Sequence, residues 1–210
     1  MRCRASTGSR GSERSGGRPP GFRRRELAGR PEQIIRVCQP GGVTHVVVLA
    51  DTHIRRTGAR GLPDAAYAHL EQADVILHAG DILVAEVLDE LGGFAPVHAV
   101  LGNNDAELFG VLAETQSLEI DGVRIAMVHD SGPTPGRADR MHRRFPDAEV
   151  VVFGHSHIPW DDAGLGGQLL FNPGSPTERR SQPHRTLGTL DIRPDGQDGG
   201  RVVSRIHVLG

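Results

Sequence analysis

Seven side chains able to ligate a metal stand at the ends of five apolar runs: Asp51 and His53, Asp81, Asn103, His129, and His155 with His157. Successive runs are separated by 22 to 30 residues. That is enough for a crossover connection that returns the chain to a neighbouring strand. In an open α/β sheet, functional groups collect beyond the carboxyl ends of the strands, so ligands distant in sequence can meet on one rim. Carboxylate oxygen, amide oxygen and imidazole nitrogen together suit a divalent ion, Mn2+ foremost, with Ni2+, Fe, Zn2+ or Mg2+ as alternatives. The set holds no thiolate, so it is not a closed structural zinc site. Asp-x-His and His-x-His place two ligands two residues apart, which an extended backbone would point the same way. Two cations roughly 3.5–4 Å apart repel and need a shared anionic ligand, a role for which Asp81 is best placed.

The elements that must position these groups read as follows. Val43–Ala50, Val75–His78 and Val97–Leu101 are apolar strands, with short helices over Asp64–Gln72 after Pro63 and over Ile82–Leu91 before Gly92-Gly93. Glu107–Ala113 reads as a further short helix. Ser117–Ile120 and Val123–His129 flank Asp121-Gly122, a strong hairpin signal. A basic helix follows around Arg137–Arg144, then strands at Glu149–Phe153, Gln168–Phe171, Thr186–Arg193 and Arg201–Val208. Mixing βαβ units with antiparallel hairpins gives an α/β layered domain.

Composition bounds the rest. The 210 residues carry a formal charge of −2, but residues 1–42 hold ten Arg against three Glu, which leaves −9 on the remainder. An acidic domain makes no strong case for nucleic acid as a partner. Residues 1–42, rich in Arg, Gly, Ser and Pro, read as a disordered extension with no period before Ile34–Val37, and the folded domain as 43–210. No apolar stretch approaches the ~20 residues of a membrane span. The two cysteines, Cys3 and Cys38, offer neither metal spacing nor a disulfide framework. A cytoplasmic setting is the default. The chain has no Lys, which excludes a Gly-Lys phosphate loop.

Asp51-x-His53, Gly80-Asp81, Gly102-Asn103-x-Asp105, His129 and Gly154-His155-x-His157, in that order, resemble the calcineurin-like metallophosphoesterase superfamily. Their short spacings are similar to its small bacterial and archaeal phosphodiesterase branch. The resemblance covers Val43 to Gly210 and implies a four-layer α-β-β-α sandwich with two mixed β-sheets. It implies that Asp51, His53, Asp81 and His157 hold one divalent metal and that Asp81, Asn103, His129 and His155 hold the other. It implies hydrolysis of a small phosphate ester, most simply a diester, by in-line attack of a hydroxide bridging the two ions. The alternatives are a nucleotide-specific hydrolase and a non-catalytic scaffold of the same fold. Relatives often carry a His after the motif Asn as leaving-group acid; here that position is Asn104, which cannot supply a proton. The usual glycine after the fourth-motif histidine is Asp130.

Other residues have two readings each. Asp105 is a candidate for the catalytic set with Asp81 and Asn103, the cap of the helix that follows, or a support behind the ligands. Arg55, Arg56 and Arg60 are candidate phosphate contacts, or a solvated loop. Asn172 and Arg179, in and after the Asn172-Pro173-Gly174-Ser175-Pro176-Thr177 loop, are further candidates for substrate binding. His78 either orients a ligand or is a packed strand histidine. Arg137, Arg140, Arg143 and Arg144 read as a solvated helix face, and Trp160 as packing over the site or stacking on a substrate ring. Oligomeric state is not encoded in any of these features.

Overall fold

The computed structural model describes residues 34–37, 42–56, 61–193 and 201–210. Its strands are β1 (Ile35–Val37), β2 (Thr44–Leu49), β3 (Val75–His78), β4 (Val97–Ala99), β5 (Thr115–Ile120), β6 (Val123–Val128), β7 (Val150–Val152), β8 (Trp160–Ala163), β9 (Leu169–Asn172), β10 (Thr186–Ile192) and β11 (Val202–Val208). The α-helices are α1 (Asp64–Leu70), α2 (Ala85–Gly92) and α3 (Arg137–Arg144). One sheet has the order β1-β5-β6-β7-β9-β8 and the other β11-β10-β2-β3-β4. Both are mixed. β2, β3 and β4 run parallel, and so do β6, β7 and β9, while β10, β11, β5 and β8 supply antiparallel pairs.

The period of two along each strand decides the layers. Val46 and Val48 of β2, Val75 and Leu77 of β3, Ile125 and Met127 of β6, and Val150 and Val152 of β7 share one core between the sheets. Val47, Leu49 and Ile76 face the other way, onto Ala66 and Leu70 of α1 and Val87 and Leu91 of α2. Ala126, Val128 and Val151 pack outward against Met141 of α3 and Phe145. Each sheet is thus apolar on both faces, and the chain is a four-layer α-β-β-α sandwich. Because β2, β3 and β4 are parallel, as are β6 and β7, the five ligand-bearing loops leave the carboxyl ends of parallel strands.

Several boundaries differ from the sequence reading. The sheet begins before Val43, because β1 pairs in parallel with β5 through Ile35, Arg36 and Val37. The rest of the proposed extension lies outside the described residues, as do Arg60 and the Gly/Asp-rich turn before β11. Helix α2 starts at Ala85, not Ile82. Leu83 has φ 82, and the amides of Ile82 and Leu83 bond the Asp105 carboxylate instead of opening a helix. Glu107–Ala113 holds only a 3₁₀ turn over Ala106–Leu108. The polar strand β8 (Trp-Asp-Asp-Ala) carries no apolar alternation; it is an edge strand that pairs only with β9, and its Asp161 accepts from the Ser204 hydroxyl of β11.

Candidate metal centre

The loop after β2 carries Asp51 and His53, and both sit at positive φ, 54 and 46. The two ligands converge because the backbone turns left-handed, not because alternate extended residues share a face. Such conformations cost free energy in a residue with a Cβ and persist only where the surroundings enforce them. Here Asp51 N–H donates to Gly80 O (2.9 Å) and His53 N–H to Asp81 O (3.0 Å), which ties the first ligand loop to the second. Asp81, His155 and His157 are also at positive φ, 57, 69 and 57.

Glycine is required where the loops touch. A Cβ on Gly102 would lie 2.1 Å from the Asp81 amide nitrogen. One on Gly80, at φ +88, would lie 2.7 Å from Nδ1 of His129.

The side chains form two abutting sets. In the first, His157 Nε2 lies 3.4 Å from Asp51 Oδ1, His53 Nε2 lies 3.2 Å from His157 Nε2, and His53 Nε2 lies 3.4 Å from Asp81 Oδ2. In the second, His129 Nε2 lies 3.4 Å from Asp81 Oδ1. Asn103 Oδ1 is 2.9 Å from both His129 Nε2 and His155 Nδ1. Asp81 stands between the sets with one oxygen toward each. Asp51, Asp81, His129 and His157 are buried, whereas Asn103 and His155 are exposed, so the centre opens on that side.

The donors fit a divalent ion by their chemistry. His157 Nδ1 donates to Glu178 O (2.8 Å) and His129 Nδ1 to Ala79 O (2.7 Å). A carbonyl can only accept, so each Nε2 is the face left for a cation. Both carboxylate oxygens of Asp51 are buried without a hydrogen bond of ordinary geometry. Among the described residues, Asp51 with His53 and His157, and Asp51 with Asp81 and His129, are groupings close enough to hold an ion.

Burial raises the Asp51 carboxyl to about 7, Asp81 adding to it and His129 opposing it. Burial lowers His157 to about 4 and also lowers His53, which keeps both imidazoles in the neutral, ligating form. Asp81 is held below the usual carboxylate range. Burial pushes it up, but hydrogen bonding and charge from His129 and two bonds from Asn104 outweigh this. His129 moves up, its burial outweighed by Asp81.

Asp105 sits under the centre rather than in it. Its buried carboxylate accepts from the amides of Asp81 (3.0 Å), Ile82 (2.6 Å), Leu83 (2.8 Å) and Gly102 (2.7 Å). Of the readings offered for Asp105, the helix cap is not made and support behind the ligands is what these bonds provide. Asn104 bonds Asp81 twice, backbone N–H to Oδ1 (2.9 Å) and Nδ2 to Oδ2 (2.7 Å). His78 is buried, 3.1 Å from the Thr52 hydroxyl, and so supports the first ligand loop.

The candidate substrate residues scatter. Arg55 and Arg56 line a cavity of about 400 Å³ on the His53 side. Arg56 is held there by Glu86 (2.7 Å) and Glu107 (2.9 Å). Asn172 is fully buried; its amide donates to Gly154 O (2.9 Å) and its Oδ1 accepts from Gly174 N–H. Those bonds fix the fifth ligand loop and use the groups a substrate would need. Arg179 turns to Gln182 O. Its neighbour Arg180, unmarked in the sequence reading, lines a second cavity beside His155. Ser175 and Thr177 were likewise unmarked; their hydroxyls donate to Asp51 O (2.7 Å) and Thr52 O (2.6 Å). The Gly-Ser-Pro-Thr turn was the available signal. Arg137 is not solvated but buried, and the half-buried Arg140 bonds Ser131 O and Pro133 O.

Residues 45–195 match the calcineurin-like phosphoesterase superfamily domain. The chain belongs to that superfamily. It is 37% identical over 156 residues to a probable metallophosphoesterase of Methanocaldococcus jannaschii, covering 72% of this chain and 78% of the relative. Vps29 of Entamoeba histolytica, solved with Zn2+, superposes with TM-score 0.62 at 23% identity, over 80% of this chain and 100% of that one. An archaeal phosphodiesterase superposes with TM-score 0.58 at 20% identity, over 79% and 100%. The two structural likenesses show a shared fold. As a calcineurin-like phosphoesterase, the protein is a metal-dependent hydrolase of phosphoric ester bonds. No helix among its described residues is long and apolar enough to cross a membrane.

Proposed function

We propose that the protein is a phosphodiesterase working with two divalent cations, Mn2+ foremost. One would be held by Asp51, His53, Asp81 and His157, the other by Asp81, Asn103, His129 and His155. The observation that carries this is the Asp81 carboxylate, 3.4 Å from an imidazole nitrogen of each set, with one oxygen toward each. When bound, such a cation pair lowers the pKa of a coordinated water toward neutrality, offsets charge on the phosphoryl oxygens and favours in-line displacement.

The chain's own part is orientation and electrostatics. The carbonyls of Ala79 and Glu178 fix the tautomers of His129 and His157. Asn104 pins the Asp81 carboxylate, and neither Asn104 nor the amide-bound Asp105 offers a proton to a leaving group. Loss of a general acid costs about 10²–10⁴-fold for a poor leaving group, so the protein favours esters of acidic alcohols. Two cavities flank the centre, one beyond His53 and one beyond His155. Two arms of a diester fit that arrangement better than the single arm of a monoester.

The test is Mn2+-dependent hydrolysis of bis(p-nitrophenyl) phosphate beside the Asp81→Asn variant. Activity should vanish on chelation and fall at least about 10²-fold in the variant. Hydrolysis that survives both removes the reading. A folded, metal-loaded protein inactive on every ester would favour the scaffold alternative.

A further inference from the structure

The cavity beyond His155 holds about 500 Å³, and its walls include Asp130, Thr134, Arg137, Ile158, Trp160 and Arg180. Arg137 is 7% exposed. Its guanidinium carbon lies 4.9 Å from the Phe153 ring centre and 4.8 Å from that of Trp160. It makes no ion pair among the described residues. One terminal nitrogen reaches Gly132 O at 3.3 Å and the Thr134 hydroxyl at 3.4 Å, both long, and Nε is buried with no partner. The indole N–H of Trp160 is buried and unpartnered too.

A buried cation is costly unless an anion or a full set of acceptors meets it. Two aromatic faces supply part of that compensation, but they leave the Nε–H donor unused and the terminal nitrogen with long bonds only. Arg180 adds a second guanidinium to the same walls. Asp130 is the opposing charge, and its Oδ1 is engaged by the Gly132 amide (2.6 Å).

We infer that this cavity binds a second anionic group of the substrate, a phosphate or a carboxylate, carried on the ester arm that lies over His155. This rests on the phosphodiesterase reading and narrows it. The substrate class becomes diesters with a further negative charge on one arm. Arg137 forms the fixed floor for that group, and Arg180 is its exposed partner at the mouth.

Trp160 is the only tryptophan in the chain and touches Arg137, so its fluorescence reports the cavity directly. Metal-free protein titrated with inorganic phosphate and, separately, with succinate should show a saturable change. The two titrations tell the phosphate source from the carboxylate source. Apparent affinity should fall about 10- to 100-fold in Arg137→Gln, the range for losing a charge-assisted hydrogen bond. It should recover in part in Arg137→Lys and fall less in Arg180→Gln, an exposed substitution that leaves the fold alone.

In the metal-loaded enzyme, kcat/KM for 2-phosphooxyethyl and 2-carboxyethyl p-nitrophenyl phosphate is compared with that for the methyl ester. Wild type should prefer at least one charged ester, and both Gln variants should lose the preference through KM. Equal anion affinity in wild type and Arg137→Gln, or a preference that neither variant moves, overturns the inference. If wild type hydrolyses no ester with any metal, the phosphodiesterase reading has failed, and the fluorescence titration still decides whether the cavity takes an anion.

Discussion

Asp51 is fully buried, and burial holds its carboxyl near 7, so below that pH the metal-free protein keeps a proton there. A cation that uses Asp51 must displace it, and metal affinity then falls by up to about tenfold for each pH unit below 7. Calorimetry in buffers of different ionisation heat should show close to one proton released from Asp51 at pH 6 and fewer at pH 8. Metal binding that is indifferent to pH across this range would remove Asp51 as a ligand. Asn104 makes a second prediction at the same scale. Without a leaving-group acid, log kcat/KM should drop steeply along a series of aryl diesters as the leaving phenol becomes less acidic. A flat series would mean that some other group delivers the proton.

Loops, not strands, bring the ligands together, and two residues fasten the loops. The Asp105 carboxylate gathers four amides from the second and third ligand loops. Asp105→Ala would strand buried N–H groups at about 1–3 kcal/mol each. We expect a loss of at least about 3 kcal/mol in urea unfolding and weaker metal binding, with part of both kept in Asp105→Asn. Gly102 is where those loops touch. Gly102→Ala should cost about 1–3 kcal/mol through overpacking and should lower metal affinity by pushing Asp81 away from His129. An alanine variant that binds metal like wild type would show that the loops separate freely.

The sandwich as a whole buries titratable groups whose effects on stability have opposite sign. His78 is fully buried and is lowered to about 3 from 6.5 by desolvation, with His129 adding to the effect. The unfolded chain binds a proton there that the folded chain refuses, so this stability is present above pH 6.5 and is lost as pH falls toward 3. Asp51 works the other way in the metal-free protein. Its raised carboxyl stabilises the fold at low pH, and that contribution disappears as pH rises through about 7. Wild type should therefore lose ground to His78→Gln on acidification, by up to about 1.36 kcal/mol per pH unit. Urea midpoints from pH 7 to 4 measure it. A constant difference between the two proteins would mean that His78 takes up a proton without cost.

Candidate ligands could be picked out from the amino acids because coordination restricts residue type, and each candidate closes an apolar run that only a strand explains. That the domain is a layered α/β fold could be read from its alternating helices and apolar strands, whereas the four-layer order was implied only by the resemblance and is explained by the two apolar faces of β2, β3, β6 and β7. What lay beyond reach depends on neighbours far along the chain. Arg137 looks solvated within a basic helix, and Phe153 and Trp160 bury it from other elements. Asn172 looks free to bind substrate, until Gly154 and Gly174 take its amide. Arg180 and Arg179 are indistinguishable by type, and only Arg180 lines the cavity beside His155. The sequence by itself determined which atoms can ligate and which strands present them. The tertiary structure alone decided which charges stay available, because availability is a matter of what else is packed within a few ångströms.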